Sequence, residues 1–119
     1  MLIVAGTITI DPADADILRA AATAMMEATH QESGCIEYVF SISVADPGEV
    51  QVFEVWESAE DLKKHFTVAH MATFRSVLNE VTITGRNLHR YEVSSHEPMQ
   101  LQAPYAARFS SPTNAAGLP

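Results

Sequence analysis

The sequence has 119 residues, of which 47% are hydrophobic, so it is long and apolar enough for one domain with a buried core. Its net charge of -8 and its scattered Lys and Arg residues argue against binding to nucleic acid or to an anionic membrane, because both need clustered basic side chains. The single cysteine, Cys35, excludes an internal disulfide and a Cys-rich zinc site, and the sequence shows no signal peptide or apolar span, which predicts a cytoplasmic protein.

The first predicted elements are a strand and a helix. Residues 2–10 are rich in β-branched side chains, with Ile and Thr in alternation, which is typical of a strand with one buried face. Asp11 followed by Pro12 predicts a helix start, because an aspartate caps free N–H groups and proline fits the first turn. We expect this helix to end at Gly34. Its predicted buried stripe consists of Ile17, Ala21, Met25 and Ala28.

Two further strands are predicted on either side of a turn at residues 45–48. The first carries alternating apolar residues, namely Ile36, Tyr38, Phe40, Ile42 and Val44. The second, from Val50 to Glu57, has large apolar groups on both faces, which predicts burial on both sides. A chain this short has little structure with which to cover a second sheet face. We therefore expect a homodimer packed through its sheet faces.

Ser58-Ala59-Glu60-Asp61 has the form of a capping box, so a helix is predicted to start directly after Trp56. The helical pattern continues to Leu78, and Thr67 predicts a break within it and a cap for the second part. A last strand is predicted over residues 88–93.

The predicted order of elements is β-α-β-β-α-β, which indicates the α+β class and a ferredoxin-like fold with a four-stranded antiparallel sheet. Residues 1–94 are predicted to form this domain. Residues 95–119 are rich in Ser, Pro and Ala and predict an extended tail, packed on the core or on the partner subunit. We expect Leu101, Tyr105 and Phe109 to lie along the partner.

Two histidines, His65 and His70, are the first candidates for acid–base chemistry. Five residues apart on one helix places them about 140° apart around its axis, so they do not form the i, i+4 pair that binds zinc. A break near Thr67 would bring them closer, yet no third ligand stands at a suggestive spacing. A metal site is weakly supported, and for each histidine a structural and a functional role stay equal alternatives.

Trp56 is either a core anchor or a flat wall for a planar ligand. Glu54 shares its strand face and is costly to bury, so it should either hydrogen-bond to a neighbour such as His65 or meet a cavity. Tyr38 and Phe40 on the neighbouring strand would line the same space. The sequence has no GxGxxG motif for a flavin or nicotinamide and no nucleophile elbow, so we expect no dedicated cofactor.

These residues resemble the antibiotic biosynthesis monooxygenase domain family, and especially its small quinol monooxygenases. The carriers of the resemblance are Glu32-Ser33-Gly34-Cys35 with Tyr38, Glu54-Val55-Trp56-Glu57-Ser58, His65 with Phe66, and His70-Met71 with Phe74. The resemblance extends from Met1 to about Val93.

The resemblance implies a dimeric α/β-barrel with a hydrophobic cavity between sheet and helices in each subunit. It also implies oxidation of quinol-like or polycyclic phenolic aromatics by O2 without flavin, haem or metal. Haem is not expected, because the first strand offers only threonines where haem-degrading relatives use an asparagine.

The resemblance also suggests roles for the site residues. His65 or His70 would deprotonate the phenol, and Glu54 would orient a histidine. The predicted substrate-binding residues are Trp56, Tyr38, Phe40 and Phe74. Two alternatives are a non-catalytic dimeric module, for small-aromatic binding or stress response, and a structural dimer whose pocket is filled by its own side chains.

Overall fold

A computed structural model describes residues 1–101 of the chain, and its elements follow the predicted order. They are β1 (Leu2–Ile10), a 3-10 turn (Pro12–Asp14), α1 (Ala15–Thr29), β2 (Cys35–Ile42), β3 (Glu49–Trp56), α2 (Ala59–His65), α3 (Ala69–Leu78) and β4 (Ile83–Glu92). The four strands form one antiparallel sheet in the order β2-β3-β1-β4. The predicted α+β ferredoxin-like fold is therefore confirmed.

The core lies between the helices and one face of the sheet, which we call the inner face. Alternate residues of the two central strands point into it, so that Leu2 pairs with Trp56 and Ile8 pairs with Val50 across the ladder. Among residues 1–101, no helix covers the opposite, outer face. Within residues 1–101, none of the helices is long and apolar enough to cross a membrane.

Helix α1 differs from its prediction at its end and in its buried stripe. Asp11 caps the 3-10 turn as expected, since its Oδ1 accepts from the Ala13 N–H at 3.0 Å. The helix ends at Thr29 and not at Gly34, because Gly34 has a left-handed φ of 86° in the turn before β2.

The buried residues of α1 are Leu18, Ala22, Met25 and Thr29. A 3-10 turn delays the start of the α-helix to Ala15. The buried face of the helix is one residue later than predicted at three of its four positions, so Leu18 is buried and Ile17 is 46% exposed. Only Met25 is common to the predicted and the observed stripe.

The strand predictions hold where pairing is regular and fail where it is not. Strand β2 has a register shift between Cys35 and Glu37, which breaks the alternation and leaves Ile36 47% exposed. It also ends at Ile42, so Val44 lies in the turn and is fully exposed.

Strand β4 begins earlier than predicted, at Ile83. The described part of the tail, residues 95–101, has no helix or strand. Tyr105 and Phe109 lie outside the described residues, so the tail position and the domain boundary stay predictions.

Candidate active site

The break between α2 and α3 controls where the histidines point. Helix α2 starts at the predicted capping box, in which the Ser58 hydroxyl accepts from the Asp61 N–H at 3.2 Å and donates to its carboxylate at 2.7 Å. It ends at His65. The Thr67 hydroxyl donates to the Lys64 carbonyl at 2.7 Å, so Thr67 closes α2 and does not cap α3, whose N-cap is Val68. The predicted break is therefore confirmed, with a different role for Thr67.

The break brings His65 and His70 to one carboxylate. His65 Nδ1–H donates to Glu32 Oε2 at 2.8 Å, and His70 Nε2–H donates to the same oxygen at 2.6 Å. The angle of 140° applied to one continuous helix, and it does not apply across the break. Because Nδ1 of His65 carries the proton, its Nε2 is left as an acceptor.

Glu32 is the site residue whose role sequence reasoning missed. It lies in the turn between α1 and β2, where its N–H donates to the Thr29 carbonyl at 2.9 Å. We expected Glu54 to orient a histidine, and Glu32 makes that contact. The sequence marked Glu32 only by its position two residues before Gly34. Its contact with His65 could not be read from neighbouring residues, because the two are 33 residues apart in the chain.

A cavity of about 200 Å³ lies between the inner sheet face and the helices α2 and α3. Its walls are mostly apolar. It is lined by Val4, Ile8, Tyr38, Phe40, Val52, Glu54, Leu62, His65, Phe66, Met71, Phe74, Leu78 and Leu88. Of the predicted residues, five line it: Tyr38, Phe40, Glu54, His65 and Phe74.

Three buried polar side chains, those of Tyr38, Glu54 and His65, line this cavity with relative exposures of 2%, 9% and 1%. Among residues 1–101, no protein group hydrogen-bonds to the Tyr38 hydroxyl, to His65 Nε2 or to Glu54 Oε2. The enclosed side-chain polar atom without a partner among these residues is Thr29 Oγ1, so the three atoms of the cavity wall are not closed off in the same way and can bind water or a ligand.

Burial is the main electrostatic influence on the two acidic groups. It raises the pKa of Glu54; the hydrogen bond from Trp56 opposes that shift, and the nearby Glu32 charge adds to it. Burial, followed by the charges of Glu54 and Glu32, raises the pKa of Tyr38 well above its ordinary value. Tyr38 is therefore a neutral hydrogen-bond donor at physiological pH.

Trp56 supports the site from behind. Its side chain is fully buried, its Nε1–H donates to Glu54 Oε1 at 3.0 Å, and its ring centroid lies 4.8 Å from that of His65. Its burial agrees with the core-anchor alternative, and Trp56 is not among the residues that line this cavity, so its predicted contact with a substrate stays a prediction. Phe40 and Phe74 stack at 5.5 Å and form the aromatic wall.

His70 is placed differently from the other candidates. It is not among the residues that line the cavity; its Nε2 is hydrogen-bonded to Glu32 Oε2 and its ring centroid lies 6.2 Å from that of His65. It lines a second groove between α1 and α3 with Met25 and three alanines. The structure therefore brings one predicted histidine to the cavity and one behind it.

The sequence profile described as antibiotic biosynthesis monooxygenase matches residues 1–77. No curated protein matches the sequence significantly. Among solved structures, a candidate antibiotic biosynthesis monooxygenase from Deinococcus radiodurans is 24% identical, with a TM-score of 0.73, and the match covers 87% of this chain and 100% of that one.

Two further solved structures are similar. A candidate antibiotic biosynthesis monooxygenase from Nitrosomonas europaea is 18% identical, with a TM-score of 0.74, over 80% of this chain and 100% of that chain. The protein Rv0793 from Mycobacterium tuberculosis is 24% identical, with a TM-score of 0.72, over 82% of this chain and 98% of that chain. At these identities the three structures show a shared fold.

Proposed function

Because this chain belongs to the antibiotic biosynthesis monooxygenase family, we propose that it oxidises quinol-like or polycyclic phenolic aromatics with O2 and needs no flavin, haem or metal for this reaction. The observation that carries the proposal is the His65–Glu32 pair at the wall of an apolar cavity. It presents an imidazole nitrogen as a base to a space shaped by aromatic side chains.

The first step is removal of the phenolic proton. The substrate O–H bond breaks, its proton moves to His65 Nε2, and the resulting imidazolium is stabilised by the Glu32 carboxylate through Nδ1–H. The Tyr38 hydroxyl lines the same cavity and can donate to the phenolate oxygen. Burial raises the pKa of Glu54, so this carboxyl holds a proton to higher pH than an ordinary one.

The second step is oxidation of the anion by O2. The phenolate gives one electron to O2, and the resulting superoxide and substrate radical combine to form a C–O bond at a ring carbon. Loss of the hydrogen on that carbon and cleavage of the O–O bond leave a carbonyl group and hydroxide. The hydroxide takes the proton from His65 and leaves as water. The net reaction is phenol plus O2 to quinone plus water, so one oxygen atom enters the product.

The cavity volume favours the smaller members of this substrate class. Pockets for drug-sized ligands enclose roughly 300–1,000 Å³. The cavity here is about 200 Å³, with Phe66 at 48% exposure on its lining. Substrates of one or two rings therefore fit more readily than larger polycyclic compounds.

We also propose a homodimer formed through the outer sheet faces. The pairing of β1 with its neighbours places Ile3 beside Val55 and Tyr91, and Ala5 beside Phe53, on this face. Phe53 is 44% exposed and Tyr91 51% exposed. Neighbouring apolar side chains on an uncovered sheet face favour a protein partner, and a second copy presents the same surface.

The same cavity supports a second candidate, a non-catalytic module that binds a small aromatic ligand. The stacked Phe40 and Phe74 rings favour it, because they contribute binding and no chemistry. Saturable binding of a naphthohydroquinone without loss of the compound would support this candidate over the enzyme.

Oxygen uptake tests the catalytic proposal. Purified protein is given a panel of naphthohydroquinones and anthrones, and the His65→Ala variant is compared with His96→Ala, which changes an exposed histidine outside the cavity. We expect turnover by the wild type, an unchanged rate for His96→Ala, and a rate lowered by about 10²–10⁴-fold for His65→Ala. Folded wild-type protein with no turnover on any compound would end the proposal.

A further inference from the structure

We propose that Glu32, His65 and His70 form a binding site for a divalent transition-metal ion such as Zn²⁺. The three side chains come from the turn before β2, the last residue of α2 and the first turn of α3. Their ligand atoms, Glu32 Oε2, His65 Nδ1 and His70 Nε2, lie within 4.8 Å of one another. Two imidazoles and one carboxylate are a donor set that zinc and iron ions take in proteins.

The distances require a small adjustment. Oε2 of Glu32 lies 2.8 Å from His65 Nδ1 and 2.6 Å from His70 Nε2. Tetrahedral zinc bonds to nitrogen and oxygen of about 2.0–2.2 Å set the ligand atoms roughly 3.4 Å apart. The carboxylate oxygen must therefore withdraw from each nitrogen by more than about half an ångström, while the imidazoles close around the ion in place of their two protons.

The packing around the two histidines lets the His70 side chain move more easily than that of His65. The His65 ring is packed between those of Trp56 and Tyr38, at centroid distances of 4.8 and 5.2 Å, and its side chain is 2% exposed. The His70 side chain is 28% exposed. One ligand is thus fixed by packing and the other can rotate onto the ion.

An ion can reach the cluster without passing through the cavity. The groove between α1 and α3 has a volume of about 280 Å³ and is lined by His70.

A bound ion would control the proposed reaction, and this consequence rests on the proposed function. A metal on His65 Nδ1 leaves the neutral ring with its proton on Nε2. Nε2 is the atom that would accept the substrate proton. The ion and the first catalytic step therefore exclude each other, and Zn²⁺ should act as an inhibitor.

Titration with Co²⁺, followed by its visible d–d absorption, tests the site without any assay of activity. We expect the wild type to saturate at one equivalent and His70→Ala to bind at least about 10-fold more weakly. His96→Ala, which removes an exposed histidine elsewhere, should bind like the wild type. Glu32→Gln removes the charged ligand and should weaken binding as well. Wild-type protein without a saturable spectrum, or equal binding by His70→Ala, would overturn the proposal.

A second arm measures oxygen uptake with increasing Zn²⁺. Wild-type activity should fall with the occupancy of the site, whereas His70→Ala should keep more of its own zinc-free rate at the same Zn²⁺ concentration. Saturated Co²⁺ binding by a protein that consumes no oxygen would support the metal site and end the proposed function. Turnover unaffected by a saturating ion would overturn the mutual exclusion.

Discussion

The two faces of strand β3 reverse the usual distribution of polar and apolar groups. On the inner face, Glu54 is 9% exposed and lies between Val52 and Trp56, which are more deeply buried. On the outer face, Phe53 leaves 44% of its surface in solvent. One strand thus buries a carboxyl group on one side and exposes an aromatic ring on the other.

Neither face follows from the stability of a single chain. A buried carboxyl group with one hydrogen bond costs free energy, and an exposed phenylalanine gains none. On the proposed function, the inner departure would serve a ligand and the outer one a second copy of the chain. The comparison teaches that one strand can depart from the pattern of a stable core in opposite ways on its two faces, and that each departure is a place to test for function.

The largest expected difference between the faces is in stability. Trp56→Ala removes a fully buried side chain and should lower the free energy of unfolding by about 3–5 kcal/mol. Phe53→Ala, three residues earlier and on the opposite face of β3, should cost roughly 1 kcal/mol in the monomer. Urea denaturation at two protein concentrations checks both values, with Trp56→Phe as the milder variant.

The loss for Trp56→Ala should not depend on protein concentration, while the loss for Phe53→Ala should grow as a second copy covers the outer face. Equal losses for the two alanine variants would remove the distinction between the faces.

The second largest expected effect is the weakening of the proposed dimer by a charge on the outer face. Phe53→Glu places a carboxylate among Ile3, Ala5 and Tyr91, and should raise the dimer dissociation constant by roughly 30-fold, or about 2 kcal/mol. Ser76→Glu adds the same charge on α3, away from the sheet, and should change little. Sedimentation velocity over a dilution series measures both, and a wild type that stays monomeric throughout would contradict the dimer.

The smallest expected effect is a pH dependence of the stability of the folded chain, caused by Glu54 on the inner face. Its pKa in the folded chain is raised from an ordinary value of 4.5, mainly by burial. Between the two values the native state binds more protons than the unfolded state, so wild-type stability should fall as pH rises through this window. Each pKa unit corresponds to about 1.4 kcal/mol.

Glu54→Gln keeps an acceptor for Trp56 and should remove that fall, which makes it the more stable protein at neutral pH. Glu57→Gln, at an exposed carboxyl just after β3, should follow the wild type. Denaturation curves from pH 4 to 8 give the free energy of unfolding of the three proteins. If this free energy changes with pH in the same way for Glu54→Gln and the wild type, burial of Glu54 does not affect stability.

Local patterns were sufficient to predict most of the fold. The capping box at Ser58, the Asp11 cap and the β-branched strand at residues 2–10 each depend on patterns within a few residues, and each element is confirmed, although burial does not alternate along β1. Errors occur where the assignment of a residue to a buried or an exposed face is displaced by one position. In α1 the buried residue is Leu18 and not Ile17, and in β2 the register shift after Cys35 leaves Ile36 exposed.

The site was less predictable because its contacts are not local. His65 and Glu54 were found from residue type and strand position, and the cavity confirms that they lie near each other. Glu32 was found only as part of a motif, since nothing in its sequence neighbours shows that two histidines converge on it. The helical angle between His65 and His70 could not predict that convergence, because a break near Thr67 has no fixed geometry in sequence.

The long contacts of Glu32 also affect the order in which the site assembles. Its hydrogen bonds to His65 and His70 span 33 and 38 residues, and the β2–β3 hairpin lies between them. When that hairpin closes, Cys35 pairs with Trp56 and the effective loop becomes short. The triad should thus form late in folding, after the hairpin. A slip of one residue in its register would turn Glu54 outward and separate Glu32 from both histidines, so the bonded triad is also a marker of correct strand pairing.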